Sequence, residues 1–263
     1  MTTQALGSEH PQVAGCLRGL AKLTYTLGKD AEAGELCQQA LTLSTQALGP
    51  EHPDVATSLN DLAEMWRAQG KYAKALEYHQ RAMALWEQHF GPEDLHVATS
   101  LNNLAILAYD QEEFAQSEAL QRRALAIVLK GLGPAHPQVA NNLHNLALPL
   151  HAQGQYPEAK RLCQRALALV TKGLGPAHPQ VAVILDTLAG LARTKGQYPE
   201  AKRLYQRALA ITQAVYGPEH PATQRMQGSL DALVTCAAPP CDRGDKQTRP
   251  PRRRGQRRRR ARG

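Results

Sequence analysis

The chain has 263 residues, 43% of them hydrophobic and 5% aromatic, with a formal net charge of +8. That charge is concentrated: residues 236–263 hold 11 of the 31 Lys and Arg and 2 of the 23 Asp and Glu, so what precedes them is near neutral. Five cysteines without paired spacing exclude a disulfide framework, and no apolar run reaches the ~18 residues of a membrane span. MTTQALGSEH lacks the basic and apolar stretches of a secretory leader, so a cytoplasmic location is expected.

A glycine returns every 42 residues, at Gly7, Gly49, Gly91, Gly133, Gly175 and Gly217. The segments that follow it are alike: GSEHPQVA, GPEHPDVA, GPEDLHVA, GPAHPQVA, GPAHPQVA and GPEHPATQ. A fixed period of this size is the mark of stacked helical or mixed units. Stacks of that kind make long concave surfaces, which favours binding over catalysis.

In chain order, TTQALGSEHPQVA matches STQALGPEHPDVA at 44–56. The chain is therefore expected to open on the last turn of a second helix whose repeat is missing. Cys16, Leu17 and Leu20 then have no visible cap: either this repeat is exposed or the chain belongs to a longer array. Residues 49–90 give the unit in full. Gly49-Pro50 ends one helix, and His52-Pro53 starts the next, where proline's missing N–H is not needed. Val55, Leu59, Leu62, Ala63 and Trp66 recur at spacings of 3 and 4, predicting an amphipathic helix of about 17 residues. Gln69-Gly70-Lys71 breaks it, and Tyr72, Ala75, Leu76, Ala82, Met83 and Leu85 predict a second helix running to Phe90. Ala63, Ala105, Ala147 and Ala189 align in the first helices, and Ala40, Ala82, Ala124, Ala166 and Ala208 in the second. Alanine at a contact position lets helix axes approach to about 8 Å.

The recurring Gly-Pro-x-His-Pro-x-Val-Ala, Leu101 to Ala105, Gly154 to Ala159 and Arg165 to Ala168 resemble the tetratricopeptide repeat (TPR) family. Among its members the 42-residue repeats of kinesin light chains and related bacterial and fungal arrays are most similar. The resemblance implies an all-α fold: an α-solenoid, a right-handed superhelix of tandem helix-turn-helix pairs. It covers residues 1–235, with about five complete repeats and a lone terminal helix from Pro221 to Val234 as cover for the exposed end. No long heptad segment joins the chain to a motor heavy chain, so a motor subunit is not expected. Repeat three departs from the pattern, with Asp94-Leu95-His96 in place of His-Pro.

Repeats four and five, residues 130–171 and 172–213, agree at 28 of 42 positions, and most differences fall in 141–153 of the first helix. In the family the first helices line the concave groove, so the varied helix would face a ligand; drift after duplication would give the same pattern. The positions expected in the groove are Arg18, Lys22 and Tyr25, then Asn60, Glu64 and Arg67, then Asn102, Asn103 and Tyr109. Repeat four adds Asn141, His144, Asn145 and His151, and repeat five Asp186 and Arg193. Asparagine amides can donate to and accept from an extended peptide backbone, and the basic residues can hold a carboxylate. Solvation alone would also place polar residues there. Pro149, deep in the first helix of repeat four, predicts a kinked or shortened helix.

His10, His52, His136, His178 and His220 occur once per repeat at a helix start, which points to capping or packing and not to a metal site. No phosphate loop, HExxH or CxxC is present, so no cofactor and no enzymatic activity are expected. Residues 236–263 are expected to be a disordered tail, since proline, glycine and dense like charge preclude a core. Its Arg252, Arg253, Arg254, Arg257, Arg258, Arg259 and Arg260 are candidates for weak, non-specific nucleic-acid contact. The leading expectation is a scaffold or adaptor that binds a protein or peptide segment in the groove. The alternative is a nucleic-acid-associated protein anchored by the tail, with the repeats recruiting a partner.

Overall fold

A computed structural model describes residues 11–237; residues 1–10 and the arginines of the tail lie outside the described part. Among the described residues there are eleven helices and no strands. First helices are α1 (Pro11–Thr26), α3 (Pro53–Ala68), α5 (Leu95–Asp110), α7 (Pro137–Ala152), α9 (Pro179–Thr194) and α11 (Pro221–Ala237). Second helices are α2 (Asp30–Leu48), α4 (Tyr72–Phe90), α6 (Phe114–Leu132), α8 (Tyr156–Leu174) and α10 (Tyr198–Tyr216).

The helix starts explain the histidine column. His52, His136, His178 and His220 each turn Nδ1 onto the backbone N–H two residues on, at 3.1–3.2 Å. In repeat three Asp94 does the same work, its Oδ1 accepting from the His96 N–H at 2.8 Å. Each cap satisfies one of the donors that a helix start leaves open. At the other end the 42-residue glycine takes a left-handed φ, +86° at Gly49, where a Cβ would be strained.

Each second helix packs on its partner and then on the first helix of the next repeat, so the core runs along the array, with a second cluster of Ala189, Ala192, Ala201, Tyr205 and Leu233 near its C-terminal end. All nine aligned alanines, from Ala40 to Ala208, are fully buried. Cys37 and Cys163 are buried at the register of Tyr205. Burial pushes their thiols up to about 11 and about 12, so both behave as small core residues.

The first helices of repeats three, four and five also touch one another directly, whereas successive second helices do not pack to that extent. First helices therefore form the tighter, inner layer. In repeats three to five side-chain lengths agree: short Asn, Thr and His groups bridge the inner layer (Asn102–Asn145, His144–Thr187) and long ion pairs the outer one (Arg122–Glu158, Lys160–Glu200). The inner layer of repeats one to three is bridged by Arg18–Asp61 and Arg67–Asp110. Pro149 does not shorten α7, which has the same 16 residues as α3, α5 and α9. It lies in the last turn, buried, where few hydrogen bonds remain to be lost.

Candidate functional site

The predicted groove residues all lie on first helices, and most have polar partners within the scaffold. A residue of one first helix pairs with the residue 43 positions on, in the next first helix. Arg18 Nε donates to Asp61 Oδ2 at 2.6 Å, with Lys22 3.3 Å from the other oxygen. Arg67 Nη1 donates to Asp110 Oδ2 at 2.7 Å, and Asn145 Nδ2 to Asn102 Oδ1 at 2.7 Å. His144 Nε2 lies 2.8 Å from Thr187 Oγ1, and His151 Nε2 3.3 Å from Thr194 Oγ1. Asn141 Oδ1 accepts from Gln180. Asp61, Asp110, Thr187 and Thr194 were not among the predicted residues. The offset of one repeat plus one residue was the signal that could have found them.

Asn60 departs furthest from expectation. It is 6% exposed and its Oδ1 lies 2.7 Å from Nδ1 of His79, a fully buried residue of α4, so it ties the two helices of repeat two together. Glu64 accepts from Arg67 at 3.0 Å and faces His79 Nε2 at 3.4 Å. Asn103 is half-buried and Tyr109 leans on Phe114, ring centroids 5.4 Å apart. Tyr25 and Arg193 remain exposed. Burial raises the Asp186 carboxyl above its ordinary value, an effect that Arg225 and Arg193 partly offset.

The inner layer opens between α5 and α7. One cavity of about 210 Å³ is lined by Thr99, Asn102, Asn141, Asn142 and Asn145, and a second of about 270 Å³ by Ile106, Tyr109, Gln121, Asn145 and Pro149. Asn145 lines both. Asn102 Oδ1 accepts from Asn145 and from Gln121 Nε2 (3.1 Å), a residue of α6 that sequence reasoning did not select. Gln121, which lines the larger cavity, is 1% exposed, and its buried Oε1 has no hydrogen-bond partner among the described residues. Pro149 has no N–H to offer the carbonyl of Asn145 four residues back, and its ring lies against that carbonyl. An unpaired buried acceptor beside amide donors is a site chemistry suited to main-chain N–H groups. A roomier crevice of about 550 Å³ lies between α2 and the end of α3, lined by Ala31, Gly34, Gln38, Trp66 and Gln69.

Burial lowers the pKa of His144 below its ordinary 6.5, and a hydrogen bond with Asn145 only partly restores it. His151 is lowered by burial and by Arg193. The unfolded chain therefore takes up these protons first. Stability is complete above 6.5 and lost as pH falls through the folded values. Melting temperature is expected to fall between pH 7 and 5, and to fall less in His144→Gln. Equal slopes for the two proteins would remove His144 from this role.

Among the described residues no group of three His, Cys, Asp or Glu gathers as a metal site, and no helix is long and apolar enough to cross a membrane. A family model described as tetratricopeptide repeat matches residues 16–88, 62–130, 96–148, 138–214 and 187–230. No curated protein matches the chain in sequence. Among solved structures it is similar to a Podosopora anserina protein described as a kinesin light chain with nearly identical TPR-like repeats. The identity is 27% over 78% of this chain and 97% of that one, with a TM-score of 0.63. It is also similar to BtubC (BKLC) from P. vanneervenii, at 25% identity over 84% and 89% of the two chains, with a TM-score of 0.65. The Rap conjugation gene regulator of plasmid pLS20, solved in complex with the Phr* peptide, shares the fold at 13% identity. It covers 82% of this chain and 60% of that one, with a TM-score of 0.67.

Proposed function

The chain belongs to the tetratricopeptide repeat family, and from that premise we propose that it is a non-enzymatic scaffold whose inner face holds an extended peptide segment of a partner protein. The repeat fold is typical of protein–protein interaction scaffolds. The observation that carries the finer reading is the amide cluster of Asn102, Gln121 and Asn145 between α5 and α7, with the unpartnered Gln121 Oε1 beside it. An extended peptide brings its own N–H and C=O groups to such a cluster. The mutual pairing of the remaining inner residues keeps the face preorganised, which lowers the ordering cost of binding.

The test is titration of a library of extended peptides against the full chain, followed by the Asn102→Ala/Asn145→Ala variant. That variant is expected to bind the selected peptide about 10–100-fold more weakly, the loss of one or two hydrogen bonds to buried groups. Its helicity should stay that of the parent. Unchanged affinity would show that the peptide sits elsewhere, and absence of any binding peptide would remove the reading.

A further inference from the structure

The near-neutral charge of the array is an average over unlike parts of its outer layer. α2 carries Asp30, Glu32 and Glu35 and no Lys or Arg, whereas α6, α8 and α10 together carry ten Lys and Arg against three Glu. Those three glutamates are taken by Arg122, Arg161 and Lys160. Arg165 and Lys172 of α8, with Lys202, Arg203 and Arg207 of α10, are exposed and have no hydrogen-bond or ion-pair partner among the described residues. They share one patch, because Lys160 of α8 reaches Glu200 of α10 at 3.0 Å and the two helices therefore lie side by side. The patch is on the flank of the array and not at either end. Nothing in the rest of the chain neutralises it: residues 1–10 bring one acid, Glu9, and residues 238–263 hold 11 Lys and Arg against 2 Asp.

Packing did not choose these cations. Between residues 156–169 and their counterparts 198–211 the sequence differs only at Cys163/Tyr205 and Leu169/Ile211, whereas α7 and α9 differ at nine of their 16 positions. Cys163, Tyr205 and Ile211 are buried, so change has entered the core and spared the exposed arginines. Exposed side chains tolerate substitution more readily than buried ones, and their identity in the two copies calls for a contact outside the chain.

We propose that the outer face of α8 and α10 is a second binding surface, which holds the phosphate backbone of a nucleic-acid duplex without reading its sequence. The guanidinium fork matches phosphate oxygens in pairs. Arg161, Arg165 and Lys172 run along one side of α8 at spacings of one and two turns, and Arg203 and Arg207 repeat the first two on α10. Cations set out in two directions suit the two phosphate rows of a duplex better than the single line of an extended acidic peptide. The exposed Ala168 and Ala210 lie between them and leave room for close approach. A single strand would call for aromatics to stack on bases, but those of α6, α8 and α10 stand at helix ends or, like Tyr205, are buried. A bilayer would call for apolar side chains beside the cations. The large exposed ones here, Leu174, Tyr198, Val215 and Tyr216, are likewise confined to the helix ends.

Fluorescence anisotropy of the full chain with a labelled DNA duplex, across a salt series, tests this. The comparison is the full-length Arg165→Gln/Lys172→Gln/Arg203→Gln/Arg207→Gln variant, in which no internal pair is lost. Expected is equal affinity for two unrelated duplex sequences and steep weakening with salt. The slope of log affinity against log salt should be shallower by about 3–4 in the variant, at about 0.9 per phosphate contact, with unchanged circular dichroism. A parent that ignores duplex, or a variant that keeps the parental slope because the arginine-rich end alone binds, would overturn the proposal. So would tighter binding of the parent to single strands, to phosphatidylserine vesicles or to polyglutamate.

Discussion

Leu146→Ala is expected to cost about 2–5 kcal/mol, the range for a large aliphatic side chain removed from a core that cannot close over the gap. Leu146 is 1% exposed in the middle of the array, between α6 behind it and α8 beside it. For a chain of this size each kcal/mol lowers the melting temperature by about 2–4 °C. Leu20→Ala removes the same atoms at the same register from a site that is 47% exposed, and should stay within about 0.5 kcal/mol. The position also changes the form of the transition. Repeats contact only their neighbours, so a central defect uncouples the two halves, and calorimetry should resolve a broadened or split unfolding. A Leu146→Ala protein that melts in one sharp step near the parental temperature would contradict this account of the core.

The contrast between those two leucines also marks how far sequence reading reaches. The 42-residue glycine, the His-Pro starts and the alanine columns fixed every helix to within a few residues, because each is a local signal repeated several times. His52 and its counterparts were legible as caps for the same reason. Asn60 was not legible. It follows the polar pattern of its column, and only the choice of His79 on the opposing helix, 19 residues away, draws it into the core. The inner pairs escape in the same way, since Arg18–Asp61 and Asn102–Asn145 each join residues 43 apart on two different helices. A helical wheel cannot distinguish a side chain that meets water from one that meets its neighbour's equivalent. Pro149 was visible, but its consequence depended on where the helix ended, and α7 ends only three residues later.

That hidden pairing leads to the second large effect. Glu64→Ala is expected to destabilise the chain by about 1–3 kcal/mol, because it strands two groups at once. His79 is fully buried, with Nδ1 at Asn60 and Nε2 3.4 Å from Glu64 Oε1. Arg67, which takes the other oxygen at 3.0 Å, would be left with Asp110 alone. Glu64 is one-third exposed, so solvent screening holds the figure to the lower part of the range. Burial opposes ionisation of Glu64, but the His79 hydrogen bond and Arg67 outweigh it and hold the carboxyl below its ordinary 4.5. The folded state then binds fewer protons than the unfolded one. The contribution is present above 4.5 and lost as pH falls through the folded value. Urea unfolding at neutral pH should rank the parent above Glu64→Gln and Glu64→Ala lowest, and the gap between parent and Glu64→Gln should close in acid. Indistinguishable stabilities for the two variants would mean that His79 gains nothing from a polar partner at that position. Because both Glu64 and Arg67 are occupied within the scaffold, Glu64→Gln should leave peptide affinity close to that of the parent. A large loss there would move the binding surface from the α5–α7 opening back toward repeat two.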